Sequence, residues 1–205
     1  MESDISQGKF GPFAGQTFVA EQTHSQVQRV FLEKVNGIYQ GAVFPFLKGF
    51  KSGNIGLMIT KDGQMYTGGS NRGWGAWGPE VDSFERIDWT GKIPFEIHEL
   101  RAKHDGFEMT FTKPIDKASA KAESFKSKSY MYRYAKSYGS PELEIVDPKL
   151  EVLSVSEDGK SIRLKLTPFI KGHVHEFRST GIRSAKGHKL LHDAAYYTLN
   201  EIPKK

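Results

Sequence analysis

Cysteine is missing from the 205 residues of this chain. Its absence excludes disulfide bonds, thiolate metal sites, a cysteine nucleophile and covalent c-type haem attachment. The chain also lacks a run of about 18 apolar residues, so the sequence predicts no membrane span. Its first eleven residues have neither the basic start nor the apolar stretch of a secretory signal. The sequence therefore predicts either a cytoplasmic protein or one whose export signal lies outside these residues.

Several sequence motifs typical of enzymes are also missing. The sequence has no phosphate loop, dinucleotide fingerprint, nucleophile elbow or metalloprotease helix. The net charge of +5 comes entirely from residues 94–205, where the lysines are spread along the chain. This distribution is typical of a lysine-rich surface, and no nucleic-acid motif accompanies it, so we expect no nucleic-acid partner.

Turn signals and alternating apolar residues dominate what is present. Asp62-Gly63, Asp105-Gly106 and Asp158-Gly159 each precede an alternating segment, which predicts three hairpins. Helical signals are weak, with one short helix expected within 114–129 and one helical turn at 193–196. Further strands are predicted at 16–21, 28–33, 55–60, 84–89, 150–155 and 173–177. The predicted fold class is therefore all-β.

A change in composition near residues 90–94 predicts a domain boundary. The chain before it is rich in glycine and aromatic residues, and the chain after it is rich in lysine. We place one β unit at 8–92 and a second at 94–203. The second is long enough for an immunoglobulin-like β-sandwich of about seven strands. The first is too short for a closed β-propeller, so it could supply only one to two blades.

Long blocks of the sequence carry a resemblance to a known family. They are residues 11–16, 21–25, 29–33, 36–41, 44–46, 49–53 and 68–75, followed by 92–96, 105–108, 111–116, 138–142 and 172–176. These blocks resemble the C-terminal part of bacterial glucose/sorbosone dehydrogenase-like β-propellers, which are exported relatives of pyrroloquinoline quinone (PQQ) sugar dehydrogenases. The resemblance implies a partial propeller followed by an immunoglobulin-like domain, and a periplasmic or extracellular location.

The same resemblance implies that the isolated chain needs no cofactor. In that family the catalytic base and the metal ligands come from earlier blades, and late-blade arginines would fall near residues 54–57, where no cation stands. The chain would bind PQQ and calcium only as a subunit of an oxidoreductase. A protein partner or self-association would then complete the propeller and its open edge.

The loop at residues 71–78 is the most distinctive candidate for ligand binding. Asn71, Arg72, Trp74 and Trp77 lie in it, and Gln22 belongs to a nearby block. Arginine offers a rigid fork of hydrogen-bond donors and tryptophan offers a flat apolar face, a combination suited to a sugar or a planar anion. The alternative is a loop that covers a sheet edge with its tryptophan rings packed inside.

Histidines supply the remaining candidates. His24, between two predicted strands, could act as a general base or could be a turn histidine bonded to the backbone. His173 and His175 lie two apart on a predicted strand and share a face, so with Glu176, His188 and His192 they could supply zinc ligands. The favoured interpretation is that they are structural histidines of the sandwich.

One aromatic stripe has two interpretations. Tyr130, Tyr132 and Tyr134 alternate along one strand face, which could stack nucleic-acid bases. The favoured interpretation is that they form part of a core face.

Three functional hypotheses remain open from the sequence. The first is a non-catalytic β module with a structural role and a ligand- or partner-binding role. The second is a subunit of a PQQ-dependent sugar or alcohol oxidoreductase completed by another chain. The third is a carbohydrate-binding module that uses Trp74, Trp77 and Arg72.

Overall fold

The computed structural model describes residues 1–136 and 139–205, and Tyr138 of the block 138–142 therefore lies outside the described residues. The described part is all-β, with strands connected by turns and only two 3-10 turns of three residues each. The strands are β1 Glu2–Ser3, β2 Thr17–Glu21, β3 Gln26–Val35, β4 Ile38–Lys48, β5 Asn54–Ile59, β6 Gln64–Ser70, β7 Asp82–Asp88, β8 Ile97–Lys103, β9 Gly106–Phe111, β10 Lys126–Met131, β11 Leu143–Val146, β12 Lys149–Val155, β13 Ser161–Thr167, β14 Val174–Arg178 and β15 Ala194–Thr198. No helix in the described residues is long and apolar enough to cross a membrane.

The chain folds into two units. The first comprises Met1–Phe31 and Val43–Ile93, and the second comprises Leu32–Ala42 and Pro94–Lys205. The β3–β4 hairpin therefore contributes its base to the first unit and its tip to the second. Asn36 and Gly37 form the turn of this hairpin with φ of 50° and 87°, a left-handed pair that suits asparagine followed by glycine.

The first unit contains two meanders. Strands β1, β2, β3 and β4 are successive hydrogen-bonded neighbours, and β5-β6-β7 form a three-stranded antiparallel sheet. Inward-facing residues of β2, β3, β5 and β6 supply part of the core, because side chains of a strand point to opposite faces in turn, and three phenylalanines of the connecting segments supply the rest. The core consists of Phe10, Phe13, Phe18, Val27, Phe50, Ile59 and Met65.

The second unit contains two sheets. One has the strand order β12-β13-β9-β8, and in the other β15, β14, β10 and β11 are successive neighbours. The ring of Phe107 on β9 lies 5.4 Å from that of Phe177 on β14 and 4.8 Å from that of Tyr197 on β15. These contacts join the inner faces of the two sheets around a fully buried aromatic centre.

The all-β prediction and the three Asp-Gly hairpins are confirmed. The predicted turns connect β5 to β6, β8 to β9 and β12 to β13. Asp-Gly pairs specify such turns locally, since the glycine takes a positive φ that other residues disfavour.

Two local predictions are wrong, and a third holds only in part. The region 114–129, expected to hold one short helix, holds two short 3-10 helices, Lys117–Ser119 and Ala122–Ser124. Residues 193–196 overlap strand β15, which pairs with β14, so no helical turn forms there. The tyrosine stripe also fails as a core face, because β10 ends at Met131 and only Tyr130 is buried. Tyr132 and Tyr134 are exposed.

Candidate functional site

The turn between β2 and β3 is organised around the carboxylate of Glu21. Its Oε1 accepts a hydrogen bond from the Thr23 amide at 2.9 Å, and its Oε2 accepts from the His24 amide at 2.8 Å. Oε2 also lies 3.0 Å from His24 Nδ1 and 3.3 Å from Gln26 Nε2. Partial burial raises the pKa of Glu21, but the hydrogen bonds from His24 and Thr23 outweigh it and hold the pKa below its ordinary value. The carboxylate is thus ionised at neutral pH and fixes the His24 ring.

The loop at residues 71–78 is braced by two side-chain amides. Asn71 Oδ1 accepts from the Gly53 amide, and Asn71 Nδ2 donates to the Gly78 carbonyl, each at 2.8 Å. Gln22 Nε2 donates to the Ser70 carbonyl at 3.1 Å. These contacts give Asn71 and Gln22 a role in holding the loop, and their contribution to a ligand stays a prediction.

The same loop is fastened to the β2–β3 turn at three points. The Trp77 amide donates to the Thr23 carbonyl at 2.9 Å, and the Gly78 amide donates to Ser25 Oγ at 2.8 Å. The indole N–H of Trp74 donates to Thr23 Oγ1 at 3.1 Å. Main-chain bonds on consecutive residues leave the backbone beside Trp77 little freedom.

A pocket of about 720 Å³ opens where this loop meets the turn. The indole of Trp77 is 76% exposed, and the His24 ring meets it edge to face at a centroid distance of 4.6 Å. The pocket is lined by His24, Ser25, Gln26, Lys48, Gly49, Phe50, Trp77, Gly78 and Pro79. Its walls are mainly apolar with a few polar groups, which is the usual character of a small-molecule site.

Ser25 joins the three chain segments that form the pocket. Its carbonyl accepts from the Phe50 amide at 3.3 Å, and its hydroxyl accepts from the Gly78 amide. It is buried and has a φ of 51°, in the left-handed region that most side chains avoid. The hydrogen bonds from the Phe50 and Gly78 amides hold Ser25 in this unfavourable backbone conformation.

Of the residues predicted from sequence, His24 and Trp77 line this pocket. Trp74 is half exposed and donates a hydrogen bond to the turn, and Arg72 is exposed and is not among the described residues that line the pocket. The alternative in which the tryptophan rings are packed inside the loop is wrong, because both rings are exposed.

Sequence reasoning did not identify Lys48 and Phe50 as pocket residues. Lys48 is the last residue of β4 and Phe50 lies just after it, and only the long-range pairing of the segments brings them beside His24.

The two histidines of the weak zinc prediction lie in the second unit, and each has its own partner. His173 Nδ1 is 2.9 Å from Ser129 Oγ, whereas His175 Nε2 is 3.0 Å from the Ile170 carbonyl. His192 Nδ1 is 2.7 Å from Glu96 Oε1. The described residues contain no group of three or more histidine, aspartate or glutamate side chains placed to hold a metal ion.

The pocket residues are also a poor match for a site that would hold PQQ and calcium, as the oxidoreductase alternative would require. Calcium takes six to eight oxygen ligands, usually with several carboxylates. The lining residues include no carboxylate, and the nearby Glu21 oxygens are already occupied by four hydrogen-bond donors.

Comparisons with known proteins do not support the resemblance to sugar dehydrogenase propellers. Neither a family model nor a curated protein matches the chain. The N-terminal part of the bacterial S-layer protein SbsC is 20% identical with a TM-score of 0.39, over 55% of this chain and 25% of that chain. A structure of domains 1–6 of surface layer protein SbsC gives the same identity and TM-score, over 55% of this chain and 15% of that one.

The chain thus spans a quarter or less of these solved structures, and a likeness at this TM-score carries no functional inference. The structural neighbours are S-layer domains and none is a sugar dehydrogenase, so the resemblance stated from the sequence is wrong. The expectations of PQQ, calcium and a propeller completed by another chain lose their basis with it. The periplasmic or extracellular location had the same basis and stays a prediction.

Proposed function

We propose that this chain is a non-catalytic β module whose first unit binds a ligand in the pocket beside Trp77. The observation that carries the proposal is the solvent-exposed indole of Trp77, which stands on a backbone fixed by hydrogen bonds. Trp77 is 76% exposed, yet its own amide and that of Gly78 are both hydrogen-bonded to the β2–β3 turn. An exposed aromatic ring that is already ordered loses little entropy on binding and gains the burial of its face.

The second unit serves as structural support in this proposal, as an immunoglobulin-like sandwich. Its strand order supports that interpretation. If β8 to β15 are lettered A, B, C, C′, D, E, F and G in chain order, one sheet reads D-E-B-A and the other G-F-C-C′. This is the arrangement of a Greek-key immunoglobulin sandwich with an added C′ strand.

Carbohydrate is the ligand class that the pocket chemistry favours, and a carbohydrate-binding module is our second candidate function. The flat indole face of Trp77 suits the apolar face of a pyranose ring. Polar groups for the hydroxyls lie beside it on His24 and Gln26. A few polar groups on an apolar platform are how such sites combine affinity with orientation.

The test uses the indole N–H signals of the three tryptophans in an ¹⁵N-labelled chain. We expect an oligosaccharide panel to include at least one compound that shifts the Trp77 signal and leaves the Trp89 signal unchanged. Trp77→Ala should abolish binding, whereas the matched variant Trp89→Phe should retain it. The oligosaccharides should be recovered unchanged after incubation, and turnover would contradict a non-catalytic role. Shifts confined to residues outside the pocket would refute binding at this site.

A further inference from the structure

We infer that the pocket selects an acidic sugar, meaning a pyranose that carries a carboxylate. This inference rests on the proposed function and narrows its ligand class. It depends on the charge of the pocket lining, on the aromatic platform and on the orientation of His24.

The permanent charge of the lining is positive. Lys48 is exposed at the end of β4, and it is the one lysine, arginine, aspartate or glutamate among the described lining residues. Its ammonium has no ion-pair partner within the part of the chain that the structure describes. The carboxylate of Glu21 in the β2–β3 turn already accepts hydrogen bonds from four donors of that turn and of Gln26. A ligand that brings its own negative charge therefore complements the pocket.

The aromatic side of the pocket requires more than a small anion. Trp77, Phe50 and Pro79 form its apolar surface, and the pocket volume of about 720 Å³ falls in the range of sites for drug-sized ligands. An inorganic anion would contact Lys48 and leave the indole exposed. A neutral sugar would cover the indole and leave the ammonium without a counter-ion. A carboxylated pyranose satisfies both.

His24 adds a directed hydrogen-bonding group. Its Nδ1 lies 3.0 Å from Glu21 Oε2, so in the neutral ring Nδ1 carries the proton and Nε2 is an acceptor. The carboxylate fixes both the tautomer and the ring orientation. Nε2 can then accept a hydrogen bond from a sugar hydroxyl while Lys48 contacts the sugar carboxylate.

The experiment compares trigalacturonate with the neutral trisaccharide of galactose by calorimetry and by the Trp77 indole signal. We expect trigalacturonate to bind more tightly and Lys48→Gln to weaken it about three- to fivefold, the size expected for one exposed ion pair. The matched variant Lys61→Gln removes the same charge at an exposed turn of the first unit and should leave the affinity unchanged. Binding of the neutral trisaccharide should be insensitive to both substitutions.

The outcomes separate this inference from the proposal on which it rests. If the neutral trisaccharide binds at the Trp77 pocket as tightly as the acidic one, the pocket binds sugars but the acidic selection is refuted. If both lysine variants weaken trigalacturonate equally, the attraction is general to the surface and the inference is also refuted. If neither sugar shifts Trp77 although another compound class does, the carbohydrate assignment fails while ligand binding stands. If no compound shifts it, both proposals fail.

Discussion

Lowering the pH should destabilise the second unit through one buried histidine, His175. The side chain is fully buried on β14, and its ring centroid lies 5.4 Å from Phe107 and 5.2 Å from Phe169. Nε2 is bonded to the Ile170 carbonyl, whereas Nδ1 has no hydrogen-bond partner among the described residues. Burial lowers the pKa of His175 from 6.5 to about 4, with His173 as a smaller cause in the same direction.

The sign of the effect follows from where the proton binds. The folded chain keeps His175 neutral down to about pH 4, whereas the unfolded chain protonates it near its ordinary pKa of 6.5. The unfolded state therefore binds more protons between these values, so stability falls as the pH falls through this window. Between pH 7 and pH 4.5 the loss attributable to His175 is about 2 kcal/mol, given about 1.4 kcal/mol per pKa unit.

The assay is urea unfolding followed by the methyl NMR signals of Ile162 and Ala195, which report the second unit. All three tryptophans lie in the first unit, so their fluorescence reports that unit in the same samples. The wild type should lose about 2 kcal/mol more than His175→Gln between the two pH values. The control is His188→Gln, which removes an exposed histidine of the same unit. An equal pH dependence in the wild type and in His175→Gln would refute the reasoning.

Two further substitutions test the packing of the first unit. Arg29 is buried between two phenylalanine rings, with its guanidinium carbon 4.1 and 4.3 Å from their centroids. Because lysine lacks this planar stacking group, Arg29→Lys should lower the free energy of unfolding by about 2 kcal/mol. Urea unfolding followed by tryptophan fluorescence measures this change, and an unchanged unfolding midpoint would contradict a stacking role for Arg29. Gly69→Ala would place its Cβ against the Gly53 carbonyl oxygen and should cost more than about 3 kcal/mol, whereas Gly75→Ala, with open space around it, should be tolerated within about 0.5 kcal/mol in the same assay.

Local signals predicted part of this fold because they depend on few residues. Each Asp-Gly pair specifies its hairpin without help from distant segments. Strand β4 was not predicted although Asn36-Gly37 precedes it, because Gly41 and Pro45 interrupt its apolar pattern and argue against a strand interior. The opposite error occurred at β15, where two alanines and adjacent residues favour a helical turn. Pairing with β14 overrides that preference.

The candidate site shows the same division between local and long-range information. Trp77 and His24 could be identified from sequence as candidate site residues, because a tryptophan in a glycine-rich loop and a histidine in a turn are uncommon and chemically distinctive. Lys48 could not be chosen, because its position beside the pocket depends on how the end of β4 meets the β2–β3 turn.

The contact between these segments depends on Ser25. Its carbonyl accepts from the Phe50 amide and its hydroxyl accepts from the Gly78 amide, and its φ of 51° is unusual for serine. Glycine or asparagine at this position would have signalled a left-handed residue in the sequence. Serine gives no such signal, and glycine would lose the hydroxyl that accepts the Gly78 amide. Ser25 therefore cannot be recognised from the sequence as the residue that joins the pocket segments, because the hydroxyl that accepts the Gly78 amide requires serine where glycine or asparagine would have indicated a left-handed residue.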